Sequence, residues 1–358
     1  MKELTLKQKI AQMLLVGIPT KDSIEGVLKL INDYGIGGVI LYKNNYKDLE
    51  ELKELIIRLK KANKNNLLPL TIAIDQEGGR VNRLPKEFTN SLSLNKMARN
   101  SDADISLFAN ITSKLLNEMG INMNFAPVLD LKLHNDNHAI GNRAISSDVD
   151  KVIRVSELLV KEYENNNVVP VIKHFPGQGS VKADSHFFLP IIKDYDKILN
   201  HDSLPFKNMI EKGIDTIMVG HILIKGKTGL YPTTLSKKFI KEEIRERYNY
   251  KNIVMTDEMG MRSVSYTYGK KRSIIKAFSA KNDIICCKYS PNFIESIIDK
   301  VSKNIDKNII DIKDIDNSIK RISNMKKKFK FNDNTNFNNI DINKYNKTMD
   351  ILNNKVNK

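Results

Sequence analysis

Cysteines and long apolar runs are scarce in this sequence. Two cysteines occur among 358 residues, Cys286 and Cys287, and they are adjacent within an apolar run. A disulfide between such neighbours would be strained, so we expect two buried thiols in a reducing compartment. Nowhere do about 18 apolar residues follow one another without a charge, so no segment is predicted to span a bilayer.

An export signal is also lacking at the start of the chain. Charged and polar residues interrupt the apolar positions between Met1 and Gly17, so no unbroken signal-peptide core precedes a small-residue cleavage site. We therefore expect a soluble, cytoplasmic protein without a membrane partner.

Acidic residues are outnumbered by basic ones, 42 to 58, which gives a formal net charge of +16. Such a charge would suit nucleic-acid binding, because lysine and arginine neutralise phosphates. However, the lysines are spread among asparagines and isoleucines, and no basic motif is interleaved with aromatic residues. We predict a solvated basic surface and no nucleic-acid partner. The positive electrostatic field of this surface could attract an anionic substrate.

Short apolar, β-branched runs alternate with helix-like segments about eight times. No G-x-G-x-x-G fingerprint follows the first run, so the pattern favours a closed (β/α)8 TIM barrel over a doubly wound sheet. No Pro- or Gly-rich linker divides this part, so residues 1–331 are predicted to form one α/β domain. The candidate strands are 13–18, 37–41, 70–75, 123–130, 168–174, 215–221, 252–257 and 283–287.

The segment 332–358 differs in composition from the rest of the chain. It is rich in asparagine, aspartate and lysine and has few apolar residues. Such a segment is not expected to bury enough surface to offset the entropy of ordering, so we predict a peripheral C-terminal tail.

Polar and charged residues gather where the candidate strands end. In a TIM barrel the active site lies at the carboxyl ends of the strands, so these side chains would share one rim. A single acidic residue at such a place is commonly a helix cap, but several together indicate a binding site. The residues concerned are Asp75, Asp130, Lys173, His174, His221 and Asp257.

The loop after the fifth strand carries a candidate proton donor. Gly177 and Gly179 allow unusual backbone angles and hinge motion over a substrate. Asp184 and His186 are two residues apart, so the carboxylate can orient the imidazole and raise its pKa. We interpret this pair as a general acid/base.

Three motifs give the chain a likeness to a known family. They are Ile74-Asp75-Gln76-Glu77-Gly78-Gly79-Arg80-Val81-Asn82-Arg83, the run from Lys173 to His186, and Val254-Met255-Thr256-Asp257-Glu258-Met259. The segments 124–130 and 140–143 add to it. From about residue 4 to 328 the chain resembles glycoside hydrolase family 3, in particular its single-domain β-N-acetylglucosaminidase branch.

The resemblance implies a role for each matching residue. Asp257 corresponds to the nucleophile that forms a covalent glycosyl-enzyme with retention of configuration. Asp184 and His186 correspond to the acid/base dyad. His221 corresponds to a residue lining the sugar pocket. The residues that correspond to the groups holding the hydroxyls of the terminal sugar are Asp75, Arg83, Arg143, Lys173 and His174.

The resemblance further implies a small carbohydrate substrate, either a glycan or a muropeptide that ends in N-acetylglucosamine. We expect no metal and no organic cofactor, and favour a monomer. Asp130 is expected to orient neighbouring groups rather than to touch sugar. Lys173 is expected to need a polar ligand, because an unpaired lysine inside a barrel is costly.

Three positions depart from the family pattern. Gln178 stands where histidine or asparagine is expected, Glu258 where aspartate is common, and Lys281 where glycine is common. None of them removes a group with an implied catalytic role. Gln178 bears on how the loop closes and how the leaving group is met, so leaving-group specificity is the property most in question.

Three other readings remain open. A phosphorylase would use the same site with phosphate as acceptor, which a histidine acid/base would not repel. A metal-dependent barrel hydrolase would use His174 and His186 as ligands, although such sites need about three protein ligands. A glycan-binding sensor would keep the pocket without turnover.

Overall fold

Eight parallel strands form the centre of the protein. The computed structural model describes residues 3–134, 139–181 and 189–356. Its main sheet has the order β10-β1-β2-β3-β4-β5-β7-β9, and a parallel bridge between Met255 and Ile284 joins its two edges. The sheet therefore closes on itself, and the predicted (β/α)8 barrel is confirmed.

The barrel strands are short, and all their residues are buried except Lys288 at the end of the last strand. They are β1 (Leu14–Gly17), β2 (Gly38–Leu41), β3 (Thr71–Ile74), β4 (Met123–Asn124), β5 (Val169–Phe175), β7 (Thr216–Val219), β9 (Ile253–Thr256) and β10 (Ile285–Lys288). A separate parallel pair, β6 (Ile191–Ile192) and β8 (Leu223–Ile224), follows β5 and β7. Each barrel strand overlaps one candidate strand of the sequence.

β4 departs furthest from its predicted range of 123–130. Regular pairing stops after Asn124, because Pro127 has no N–H to donate to a neighbouring strand. The chain nevertheless stays against β5, since Leu129 N donates to Lys173 O at 2.8 Å. Asp130 is therefore still delivered to the carboxyl-terminal end of the barrel.

Helices surround the barrel and cover its outer face. They are α1 (Leu6–Gln12), α2 (Ile24–Tyr34), α3 (Leu49–Ala62), α4 (Leu94–Met97), α5 (Asp102–Glu118), α6 (Val149–Asn165), α7 (Tyr195–Lys197), α8 (Leu204–Glu211), α9 (Lys237–Phe239), α10 (Arg262–Tyr268), α11 (Lys270–Ser279), α12 (Phe293–Asp306), α13 (Ile312–Lys328) and α14 (Ile342–Lys355). π-helical segments continue α7 over Ile198–Asp202 and α9 over Ile240–Arg247. Among the helices described between residues 3 and 356, none is long and apolar enough to cross a membrane.

Helix α3 illustrates why these segments are helical. The side chain of Asp48 accepts a hydrogen bond from Glu51 N and so caps the first turn. Acidic residues in the first turn and basic residues in the last turn complement the helix dipole. Leu52, Leu55 and Leu59 recur at helical spacing and are buried against the barrel.

The amino-terminal end of the barrel is closed by a buried lysine from α13. Lys326 Nζ donates to Gln12 Oε1 at 3.0 Å, to Gly37 O at 3.0 Å and to Pro69 O at 2.8 Å. These oxygens precede β1, β2 and β3, so one side chain ties three barrel strands together at the end opposite to the candidate site.

The prediction of a tail without a buried surface is wrong for residues 342–355. Helix α14 buries Tyr345, Met349 and Leu352, which recur at helical spacing on one face. Tyr345 packs edge-on against Phe88, with 5.5 Å between the ring centroids. The average composition of the segment is polar, but its few apolar residues are placed where a helix needs them.

Cys286 and Cys287 are both free thiols and both buried, as the sequence predicts. Burial raises the pKa of each thiol well above its usual range.

Helix α11 ends in a left-handed turn at Lys281, where the family resemblance implies that glycine is common. Lys281 has a φ of +71°. Its N–H donates to Phe278 O at 3.0 Å, and Asn282 N donates to Ala277 O at 3.4 Å, which is the Schellman arrangement. A side chain at this position is strained, and the ion pair of Lys281 with Asp314 at 2.8 Å offsets part of the strain.

We expect Lys281→Gly to stabilise the protein by roughly 0.5–1 kcal/mol. The free energy gained by relieving the backbone strain should exceed two costs: the loss of a surface ion pair and the greater conformational entropy of the unfolded chain. Lys281→Ala is the matched control: it keeps the strain, loses the ion pair and should destabilise. Urea unfolding of both variants measures the difference, and a less stable glycine variant would contradict this account.

Candidate active site

A cavity of about 520 Å³ opens at the carboxyl-terminal ends of the barrel strands. Size and position suit a sugar, since ligand pockets of TIM barrels lie at this face. Its wall carries many charged and polar side chains. They are Asp75, Glu77, Arg80, Arg83, Arg143, Lys173, His174, Gln178, Asp257, Glu258 and Lys288.

Four charged side chains form a buried cluster in the cavity wall. Lys173 Nζ lies 2.8 Å from Asp75 Oδ1 and 2.6 Å from Glu77 Oε1. Arg143 binds Glu77 in bidentate fashion, with Nε and Nη2 each 2.8 Å from one carboxylate oxygen. We call Asp75, Glu77, Arg143 and Lys173 the charge tetrad; its two positive and two negative groups cancel.

The tetrad holds Glu77 and Lys173 in their charged forms despite their burial. Burial alone would raise the pKa of Glu77, but Arg143 and Lys173 outweigh it and hold the pKa well below its usual range. Burial likewise acts to lower the pKa of Lys173, yet the carboxylates of Asp75 and Glu77 raise it. Lys173 is therefore not an unpaired lysine, because this chain supplies both of its counter-charges.

Asp130 and His174 form a second polar unit beside the tetrad. His174 Nδ1 lies 2.6 Å from Asp130 Oδ2. Asp130 also accepts the backbone N–H groups of His174 at 3.2 Å and of Gln178 at 2.7 Å. A carboxylate accepts, so Nδ1 donates and the Nε2 edge of the ring is directed elsewhere. Asp130 thus orients a neighbouring group, in line with the sequence-based expectation.

Asp257 follows β9 directly and lies on the cavity wall. Its Oδ1 accepts Glu258 N at 2.7 Å, and its Oδ2 lies 4.0 Å from His174 Nε2. Burial acts to raise the pKa of Asp257, but the His174 and His221 imidazoles and the Glu258 N–H outweigh burial and lower it. Asp257 is therefore a carboxylate held in a fixed orientation, as a nucleophile requires.

Arg83 brings a further cation to the cavity. Its backbone N–H donates to Gln76 Oε1 at 2.8 Å, which fixes the end of the turn that carries it. Within the described residues, the buried Nε of Arg83 has no hydrogen-bond partner. A buried donor without a partner is costly, and a polar ligand in the cavity would satisfy it.

The structure corrects the expectation that His221 lines the pocket. His221 is fully buried behind the cavity wall. Its Nδ1 lies 2.8 Å from Thr234 Oγ1, and its Nε2 lies 3.0 Å from Glu258 O. Both ring nitrogens are thus engaged by protein atoms, and the imidazole supports the backbone next to Asp257.

Asp184 and His186 lie outside the described residues. The chain before them is fixed by Asp202, which accepts Ser180 N at 2.7 Å and Ser180 Oγ at 2.9 Å. A Cβ on Gly177 would come within 2.8 Å of Asp202 O, and one on Gly179 within 2.7 Å of Leu131 O. Close backbone packing therefore accounts for both glycines.

Glu258 occupies the wall next to Asp257. Its Oε1 accepts Gly260 N at 2.8 Å, and its Oε2 lies 3.7 Å from Lys288 Nζ. Burial raises the pKa of Glu258, and the nearby Asp257 carboxylate adds to the effect. Glu258, one of the three positions that depart from the family pattern, thus faces the cavity.

The structure adds Glu77 and Arg80 to the residues expected from the sequence. Glu77 is the centre of the tetrad, and Arg80 Nη2 donates to Ala139 O at 2.9 Å. Both stand in the same D-x-E-G-G-R motif as Asp75, so the sequence motif could have identified them.

Across the described residues, no group of three or more His, Cys, Asp or Glu is arranged to hold a metal ion.

Comparison with known proteins agrees with this geometry. The glycosyl hydrolase family 3 N terminal domain model matches residues 5–325. The beta-hexosaminidase of Psychromonas ingrahamii is 32% identical over 273 residues, which cover 74% of this chain and 79% of that protein. The beta-hexosaminidase A of Pseudoalteromonas piscicida is 33% identical over 276 residues, which cover 72% of this chain. The chain spans 46% of the length of that second relative.

A solved structure extends the likeness over nearly the whole chain. It is the glycoside hydrolase family 3 beta-N-acetylglucosaminidase from Paenibacillus sp. str. FPU-7, with a TM-score of 0.91 and 27% identity. The match covers 98% of this chain and 68% of that one.

We expect Glu77→Gln to lower the free energy of unfolding by about 3 kcal/mol, because it leaves buried positive charge uncompensated. The folded pKa of Glu77 lies below the ordinary value of about 4.3, so its contribution is complete above that pH and is lost as the pH falls further. The difference from the wild type should therefore shrink in acid. Urea unfolding at several pH values measures it.

Glu50→Gln provides the control, because the Glu50 side chain is 75% exposed. This change should alter stability by less than about 0.5 kcal/mol at any pH. Equal effects of the two substitutions would show that the tetrad does not carry the stability assigned to it.

Proposed function

The chain belongs to glycosyl hydrolase family 3, and from this premise we propose that it is a retaining exo-β-N-acetylglucosaminidase. Relatives named beta-hexosaminidase and the similar beta-N-acetylglucosaminidase structure support removal of terminal N-acetylglucosamine. The observation that carries the proposal is the placement of Asp257, a lowered-pKa carboxylate on the same cavity wall as the charge tetrad.

The first chemical step would be attack by Asp257. Its Oδ1 is held by Glu258 N, so Oδ2 remains to bond to the anomeric carbon while the glycosidic C–O bond breaks. The leaving oxygen takes a proton, and a covalent glycosyl-enzyme results. Water then attacks the anomeric carbon from the opposite face and releases the sugar with its original configuration.

We assign proton transfer to the Asp184 and His186 dyad. His186 would protonate the leaving oxygen and later remove a proton from water, and Asp184 would orient its ring. The family resemblance of the run from Lys173 to His186 supports this assignment. The contact of Ser180 with Asp202 fixes the part of this run that comes before the dyad.

Sugar binding is assigned to the polar groups already in place on the wall. Asp75, Lys173 and Arg143 would offer charge-assisted hydrogen bonds to the hydroxyls of the terminal ring. Arg83 would use its buried, unsatisfied Nε in the same way. Because these groups are fixed by one another, little ordering is needed when the sugar binds.

We further propose that the natural substrate is a peptidoglycan fragment processed in the cytoplasm. The net charge of +16 supports a substrate that carries carboxylates, because the field would draw it toward the protein. Activity on a cell-wall digest, compared with chitin-derived sugars, tests this choice; a clear preference for the uncharged sugars would exclude it.

Trapping the intermediate tests the reaction itself. A slow fluorinated N-acetylglucosaminyl substrate should leave a covalent adduct on Asp257 that mass spectrometry of peptides can locate. Product analysis with added phosphate should give free N-acetylglucosamine. A sugar phosphate as the main product would make the protein a phosphorylase, and the absence of any adduct would favour a sensor.

We expect Asp257→Ala to abolish turnover of both aryl glycosides and natural disaccharides while binding is largely retained, because the carboxylate acts on the reacting carbon. Turnover assays and calorimetric titration with N-acetylglucosamine measure the two effects. Substantial residual activity would assign the nucleophile to another residue.

We expect His186→Ala to slow cleavage of poor leaving groups by about 100-fold or more, and activated aryl glycosides far less. A good leaving group needs little protonation, which explains the difference. A series of aryl glycosides with graded leaving-group pKa values measures it. Equal losses across the series would rule out His186 as the acid.

A further inference from the structure

Two asparagines of α14 hold the loop that follows β3. Asn346 Oδ1 accepts Thr89 N at 2.7 Å, and Asn346 Nδ2 donates to Glu87 O at 2.8 Å. One side-chain amide thus binds the N–H and the C=O of an extended segment, as a neighbouring strand would.

Asn353 repeats this pattern on the next part of the loop. Its Oδ1 accepts Leu92 N at 2.9 Å, and its Nδ2 donates to Asn90 O at 3.0 Å. Asn346 and Asn353 are seven residues apart, which is about two helical turns, so both lie on the same face of α14. The helix itself is anchored independently by its buried side chains.

The held segment in turn fixes a tight turn next to the cavity. Asn90 Nδ2 donates to Gly79 O at 2.8 Å, and Gly79 N donates to Ser91 O at 2.9 Å. A Cβ on Gly79 would come within 2.8 Å of Ser93 Cα, so the turn and the segment lie in direct contact. Gly78 and Gly79 both have positive φ, +90° and +56°.

The turn carries residues of the cavity wall on either side. Glu77 N donates to Val81 O at 3.0 Å across the turn, and Glu77 is the centre of the tetrad. Arg80 lies within the turn and Arg83 just after it, and both line the cavity. A continuous chain of hydrogen bonds therefore leads from α14 to the sugar-binding groups.

We propose that Asn346 and Asn353 are positioning residues for sugar binding, a role that rests on the function proposed above. They act through the segment 87–92, which holds the Gly78–Gly79 turn and so the wall residues on each side of it. The family model ends at residue 325, so α14 lies outside the part of the chain that it matches.

The full-length variant Asn346→Ala/Asn353→Ala tests this role. It should raise KM for an aryl β-N-acetylglucosaminide roughly tenfold and leave kcat within about twofold, because binding is lost equally from the ground state and the transition state. Asn343→Ala is the matched control: Asn343 is an exposed asparagine of the same helix, and its loss should leave both constants unchanged.

Hydrogen exchange gives a second readout that needs no substrate. In the double variant, the amides of residues 78–92 should exchange faster, while those of the barrel strands should keep their wild-type rates. If the double variant does not fold, Asn353→Ala alone should raise KM roughly threefold and speed exchange at residues 90–92.

The outcomes separate the two proposals. A lower melting temperature with unchanged KM and unchanged exchange at 78–92 would overturn the positioning role and leave α14 as a structural helix. A wild type without N-acetylglucosaminidase activity would overturn the proposed function, and the exchange measurement would still decide whether α14 holds the loop.

Discussion

Lys173 lies between the carboxylates of Asp75 and Glu77, and Arg143 completes the cluster through two hydrogen bonds to Glu77. These four residues come from β5, from the segment after β3 and from the loop after β4. Removing one member of such a cluster leaves a buried charge uncompensated, at a penalty of several kcal/mol. The tetrad therefore locks three parts of the barrel rim into one arrangement, so its polar groups are in place before any ligand enters the cavity.

Much of this site could be predicted from the sequence, because parallel barrel strands deliver their last residues to one rim. That rule located Asp257 and the unit of Asp130 and His174. It could not show where His221 points, since a residue after a strand faces either the cavity or the layer behind it. Nor could it supply the counter-charges of Lys173, because pairing across strands depends on register in three dimensions.

The segment after residue 331 shows a second limit of sequence reasoning. Its polar composition suggested that it could not pack, yet three apolar residues at the spacing i, i+4 and i+7 bury one face of α14. Average composition hides such periodicity. The asparagines that counted against order instead bind backbone groups of the loop after β3, and the sequence alone does not show which backbone they reach.

The charge tetrad is neutral, whereas the rest of the chain carries a large positive charge. Its two cations and two anions contribute nothing to the surplus of 58 basic over 42 acidic residues. That surplus resides in the remaining residues, where dissolved ions screen exposed charges within about 10 Å at 0.1 M ionic strength. Added salt should therefore slow the approach of an anionic ligand to the protein, while the buried ion pairs of the tetrad are screened much less.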